Sequence, residues 1–159
     1  MNRGPLPPVW VVNLERSVDR RERMRHQLNG LGLAYEFVKA VDGRELTDQD
    51  LAKWCEPSAA VAIIKRELTR GEVGCSLSHL RLYDRMIQEG HEEAVILEDD
   101  VNVNPVFVDI FSRRELPGPD WEMVVFHGLN KPPISCWNAR RAGMRSIRSL
   151  NPRAIMGGW

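Results

Sequence analysis

Ala94-Val95-Ile96-Leu97-Glu98-Asp99-Asp100-Val101 decides the reading of this chain, because four apolar residues run directly into three carboxylates. An apolar run of that length predicts a short strand buried on both faces, as in a parallel sheet. Ligands of open α/β sheets bind in the crevice beyond the carboxyl ends of the strands. Adjacent acids repel one another, and each costs several kcal/mol if it is buried without a partner. A divalent cation with hard oxygen ligands, Mn²⁺ or Mg²⁺, resolves that conflict and can in turn hold a diphosphate. An acidic turn solvated at a strand end accounts for the same residues, so on this segment alone both readings stand.

Working outward, Val9-Trp10-Val11-Val12 follows Pro5, Pro7 and Pro8 and predicts a first buried strand. Ser17 is placed to cap a helix, with Asp19 and Glu22 favouring its positive end. Met24, Leu28 and Leu31 fall at helical spacing, and Gly30 or Gly32 supplies the stop. The stretch 33–40 alternates Tyr35 and Phe37 with Ala34 and Glu36, which predicts a second strand. Strand, helix and strand with short connections make a parallel pair.

Thr47-Asp48-Gln49-Asp50 resembles a capping box ahead of Leu51 and Trp54, and Pro57 ends that short helix. No element is assigned to 58–70. A longer helix is predicted over 71–89, with Val73, Leu77, Leu80 and Ile87 on one face and Gly90 as terminator. After the acid-tipped strand, Asn104-Pro105 breaks the chain and an amphipathic helix covers about 106–114. Pro117-Gly118-Pro119 forms a turn, and 121–127 reads as another strand. Beyond Gly128 the periodicity fades. Alternating strands and helices imply an α/β layered domain, a mostly parallel sheet flanked by helices, over 1–128, followed by a basic segment over 129–159.

The balance of charge is zero over 159 residues, 22 basic against 22 acidic, so no global field points to nucleic acid. Charge is nevertheless segregated. No acid follows Glu122, whereas Lys131, Arg140, Arg141, Arg145, Arg148 and Arg153 do, a stretch that suits phosphates, an anionic membrane face or plain solvation. Cys55, Cys75 and Cys136 lack the spacing of a metal motif and cannot all pair, which predicts a reduced, intracellular setting. Cys75 reads as a small core residue of the long helix. No apolar stretch at the N-terminus has the length of a signal peptide or membrane span.

Asn13-Leu14-Glu15-Arg16-Ser17 lies where the first strand hands over to the first helix, a turn that faces the ligand crevice and favours phosphate. Arg16 and Arg20 can neutralise a diphosphate there, while Arg21, Arg23 and Arg25 read as solvated. No Gly-rich fingerprint supports a dinucleotide fold or P-loop. Asp42-Gly43 reads either as a plain turn or as a carboxylate at the ligand edge of the sheet. Gly71 and Gly74 each cost about 1 kcal/mol in a helix, which implies close approach of another backbone or a ligand. Ser76 and His79 are one turn apart and could share a crevice; a lone helical His is more often structural. His26, His91 and His127 rank below it.

Four segments, VVNLERSVDRRERM, YEFVKAVDGREL, LTRGEVGCSLSHLRLYDRMI and VILEDDV, with Asp120-Trp121-Glu122 after them, together resemble glycosyltransferase family 25 in the expected order from Val9 to Gly128. The resemblance implies a GT-A-like nucleotide-sugar-binding fold and inverting transfer of a hexose. The expected donor is UDP-galactose and the expected acceptor a cell-surface glycan such as lipooligosaccharide core. Glu98-Asp99-Asp100 matches the family's Asp-x-Asp motif, so Asp100 and Glu98 are the implied Mn²⁺ (or Mg²⁺) ligands. Asn13, Leu14, Arg16, Arg20, Asp42, His79 and Asp99 are the implied donor-binding residues, and Asp99 is also the candidate base. The resemblance further implies a cytoplasmic location with peripheral contact at the inner membrane face. It also implies a longer chain, whose further half helps to form the acceptor site. An inactive nucleotide-sugar-binding remnant is the alternative expectation.

Overall fold

The structure, a computed structural model, describes residues 7–54, 61–62, 65–113, 123–126 and 147–150. The chain divides into two compact units, Met1–Ser112 and Arg113–Trp159. Along the first unit β1 (Val9–Asn13), α1 (Val18–Gly30), β2 (Glu36–Lys39), α2 (Asp48–Trp54), α3 (Arg70–Gln88), β3 (Val95–Glu98) and α4 (Pro105–Arg113), whose last residue is the first of the second unit, follow in order. The second unit contains β4 (Met123–Phe126) paired in parallel with β5 (Ile147–Leu150). Loss of periodicity beyond Gly128 hid β5 from the sequence. Pro5, Cys55, Pro57, the 117–119 turn, Asp120-Trp121-Glu122, His127, Lys131, Cys136, Arg140, Arg141, Arg145 and Arg153 lie outside the described residues.

The first unit is an α/β layer built on a parallel sheet in the order β2-β1-β3. Every residue of β1 is buried, because both faces of this central strand are covered. Val9 and Val11 pack with Met24 and Leu28 of α1 and with Leu33, Leu97 and Val103. Trp10 and Val12 pack on the opposite face with Leu82 of α3. Full burial of such a side chain is worth about 1.5–3 kcal/mol, so β1 anchors both layers.

The predicted burial of the acid-tipped strand belongs to β1 instead. Within β3 only Leu97 is fully buried, because the described sheet gives β3 one neighbour. Along α3 the buried residues are Val73, Gly74, Leu77, Ser78 and Leu82. Met86 continues that face, whereas Ile87, one position further round the helix, is 78% exposed. Cys75, expected in the core, is likewise exposed on the other side of α3.

Local signals explain most boundaries. Gly32 (φ +66°) and Gly90 (φ +70°) take the left-handed conformation just beyond α1 and α3. Thr47 and Asp50 make the expected capping box: Asp50 N–H donates to Thr47 Oγ1 (3.1 Å) and Thr47 N–H to Asp50 Oδ2 (2.9 Å). A second box, Thr69 with Glu72, starts α3. Ser17 occupies the N-cap of α1, but its side chain makes no capping bond, contrary to expectation. Its carbonyl instead accepts from Asn13 Nδ2 at 3.2 Å.

Candidate functional site

The ladder sets Val12 opposite Glu98, so β1 and β3 end side by side. From β1 the chain first moves to β2 on one side and later returns to β3 on the other. The gap between their carboxyl ends is therefore the point where strand order reverses, the usual ligand crevice of such sheets. Asn13, the last residue of β1 and only 1% exposed, donates from Nδ2 to Asp99 Oδ2 at 2.7 Å. Its Oδ1 accepts from Arg21 Nε at 2.7 Å. Arg20, in the first turn of α1, donates to Asp99 Oδ1 at 2.9 Å and reaches Asp100 Oδ2 at 3.4 Å. Asp99 is 6% exposed and has both oxygens engaged, whereas the Asp100 side chain is 57% exposed. The hydrogen bond to Asp99, reinforced by the charges of Asp99 and Asp100, raises the pKa of Arg20 above its ordinary value.

The opposite wall is the 40–44 loop. Asp42 Oδ1 accepts from the backbone N–H of Arg44 at 3.0 Å, the expected turn bond, while Oδ2 pairs with Arg16 Nε at 3.1 Å. The plain-turn reading of Asp42-Gly43 is met, and the same carboxylate stands beside Arg16 on the cleft wall. Helix α3 presses its backbone against this loop: a Cβ on Gly74 would lie 2.7 Å from the carbonyl oxygen of Val41 and 2.9 Å from the nitrogen of Gly43. At Gly71 the backbone nitrogen also comes close, 2.8 Å from where a Cβ on Gly43 would lie, but a Cβ on Gly71 itself would point into open space, with Thr69 Oγ1 at 3.9 Å. Ser78 Oγ fixes the contact, accepting from Val41 N–H and donating to the carbonyl of Gly74, both at 2.8 Å.

A cleft of about 350 Å³ opens between these walls. Leu14, Arg16, Arg20, Asp42, Glu98 and Asp99, all expected at the site, line it, together with Arg70, Cys75 and Ser78. A shallower depression of about 270 Å³ lies over residues 16–20, at the start of α1. Asn13 supports the cleft, Asp100 is joined to it through Arg20, and His79 through Glu98. His79 Nε2 lies 2.6 Å from Glu98 Oε1, and Cys75 Sγ lies 3.8 Å from the same oxygen. Hydrogen bonding to Cys75 and Glu98 pushes His79 up to about 9 against the opposing effect of burial.

Ser76, the expected partner of His79, turns back to the carbonyl of Glu72 at 2.9 Å, and Ser78 takes the cleft position. Arg21 was expected in solvent, yet it holds Asn13 and lies over the Phe37 ring, 5.5 Å from its centroid. Spacing along a helix does not signal that contact, because Asn13 precedes the helix. No described helix is long and apolar enough to cross a membrane.

A three-stranded parallel layer with a charged crevice at its strand-order reversal has the architecture of an α/β domain, and in such sheets ligands usually bind at that point. The chain belongs to glycosyltransferase family 25, whose family model, described as glycosyltransferase family 25 (LPS biosynthesis protein), matches residues 6–125. A glycosyltransferase 25 family member of Aedes aegypti is 40% identical over 126 residues, covering 74% of this chain and 20% of that relative. Procollagen galactosyltransferase 2 of Homo sapiens is 34% identical over 126 residues (73% of this chain, 20% of the relative). Its Mus musculus counterpart is 32% identical over 123 residues, with the same coverage. The chain thus matches about a fifth of the length of these curated relatives.

Proposed function

We propose that this chain carries the nucleotide-sugar-binding part of a GT-A-like, inverting glycosyltransferase. The donor is a UDP-hexose, with galactose favoured because procollagen galactosyltransferases are among the relatives, and the acceptor is a glycan or glycolipid. The observation that carries the reading is the position of Glu98-Asp99-Asp100. They end β3 beside β1, across from Arg16 and Asp42, with Asn13 and Arg20 holding the central acid. Arg16 and Arg20 offer forked donors to a diphosphate. The uncapped start of α1 adds backbone N–H groups and the positive end of a helix dipole.

The donor set fits a hard divalent cation. Asp100 is largely exposed and has only a long contact to Arg20. Glu98 commits Oε1 to His79, and its other oxygen has no partner among the described residues. Asp100 and Glu98 would therefore hold Mn²⁺ or Mg²⁺, which when bound neutralises charge on the departing nucleotide. Asp99, with both oxygens engaged, serves better to position Asn13 and Arg20 than to accept a proton. That engagement favours, as the second reading, nucleotide-sugar binding without turnover by this chain.

Calorimetric titration of UDP into the chain, with and without Mn²⁺, tests the site. The expected result is binding that requires the metal and weakens by about tenfold or more in Asp100→Ala. Binding indifferent to both would overturn it. Transfer or hydrolysis of UDP-galactose then separates enzyme from binding remnant.

A further inference from the structure

Cys75 and His79 are one turn apart on α3 and so share a face, and Glu98 at the end of β3 meets them there. Cys75 Sγ, His79 Nε2 and a Glu98 carboxylate oxygen all lie within 4.8 Å of one another. We propose that Cys75, His79 and Glu98 form a Zn²⁺ site that opens onto the cleft and shares Glu98 with the hard-cation position at Asp100.

The chemistry of the donors selects the metal. A thiolate beside an imidazole suits Zn²⁺, and the thiolate disfavours the hard cations Mg²⁺ and Mn²⁺. Three protein ligands with the fourth position left to solvent or substrate is the arrangement of an open zinc site. Cys75 and Glu98 line the cleft, so that fourth position faces it. A tetrahedral ion with bonds of about 2.0–2.3 Å holds its ligand atoms about 3.4–3.6 Å apart. The 3.8 Å between Sγ and Oε1 already matches, and the 2.6 Å between Nε2 and Oε1 opens by about 1 Å through rotation of the two side chains.

The backbones that carry these ligands are fixed. The Thr69–Glu72 box holds the first turn of α3, and Gly74 is pressed against the 41–43 backbone. β3 is held by its ladder to β1. Loading converts Cys75 to the thiolate and His79 to neutral imidazole, and their protons pass to solvent. Since Glu98 is shared, Zn²⁺ here competes with the cation of the nucleotide site; this consequence alone rests on the function proposed above.

The test uses the chelator-stripped 159-residue chain, without nucleotide. Calorimetry with Zn²⁺ and absorption with Co²⁺ as its spectroscopic stand-in are expected to show equimolar binding and a thiolate-to-cobalt charge-transfer band. Cys75→Ser should abolish the band. Cys75→Ser, His79→Gln and Glu98→Gln should each weaken Zn²⁺ by more than about tenfold, since even residues behind the ligands are worth that much. Cys55→Ser and Cys136→Ser should leave both readouts unchanged. Circular dichroism confirms folding, and His79→Gln carries the test if Cys75→Ser does not fold. Absence of Zn²⁺ binding by the folded chain overturns the proposal. So does a band that survives Cys75→Ser, or binding that depends on Cys55, Cys136 or Asp100 instead.

Discussion

Asn13 and Asp99, 86 positions apart, are joined by a buried 2.7 Å hydrogen bond that ties the end of β1 to the acidic turn after β3. Asn13→Ala leaves Asp99 Oδ2 and Arg21 Nε without this partner, and an unsatisfied buried group costs about 1–3 kcal/mol. The variant should unfold at a clearly lower urea concentration. Asn13→Asp should be worse, because it sets a second carboxylate against Asp99. Unchanged midpoints for both would mean that this bond does not hold the crevice together.

The two glycines of α3 give opposite expectations for the same change. Alanine is favoured over glycine within a helix by about 1 kcal/mol, and Gly71→Ala has room to show part of that gain. At Gly74 the new methyl would meet the backbone of Val41 and Gly43, which cannot swing aside as a side chain can. Gly74→Ala should therefore destabilise by about 1–3 kcal/mol and distort the cleft wall. Thermal melts of the two variants, moving in opposite directions, check this.

Glu72 gives the chain an acid-sensitive joint. Hydrogen bonds from Arg66 and from the backbone N–H of Thr69 hold its carboxyl down to about 2, from an ordinary 4.5, against a smaller effect of burial. Because the folded value is the lower one, this stabilisation is complete above about pH 4.5 and fades as pH falls toward 2. Glu72→Gln should flatten the loss of stability across that window. A variant as steep as the parent, followed by denaturant midpoints at successive pH values, would rule out Glu72 as the source.

Among the described residues Trp10 is the largest fully buried side chain. It meets His91 edge-on at 5.8 Å and lies under the guanidinium of Arg85 at 4.8 Å. Trp10→Ala should cost about 3–5 kcal/mol, and Trp10→Phe much less. Chemical denaturation measures both, and a tolerant Trp10→Ala would show that the α3 face of the sheet is not its core.

Where a signal is local, the sequence carried it. Apolar runs located β1 and β3, glycines marked the ends of α1 and α3, and Thr47 with Asp50 announced a cap. The Thr69-x-x-Glu72 signal was equally present but lay at the edge of a stretch without apolar periodicity. What stayed hidden depended on neighbours far along the chain. Burial of β3 follows from strand order, which no single segment encodes. The exposed side of α3 at Cys75 becomes a chemical feature only when Glu98 is set beside it. The residues around the crevice were readable as a family pattern, which already set the middle acid apart from the outer two. That Asn13 and Arg20 both reach the middle one was not readable, because these contacts join segments far apart in the chain.

Arg20 bridges Asp99 and Asp100, so one guanidinium offsets part of the charge of two carboxylates. An anion that draws Arg20 away leaves Asp100 less screened and hungrier for a cation. A cation on Asp100 releases the guanidinium toward an anion. Thermodynamic reciprocity then makes the two guests mutual sponsors, each tightening its companion by the same factor.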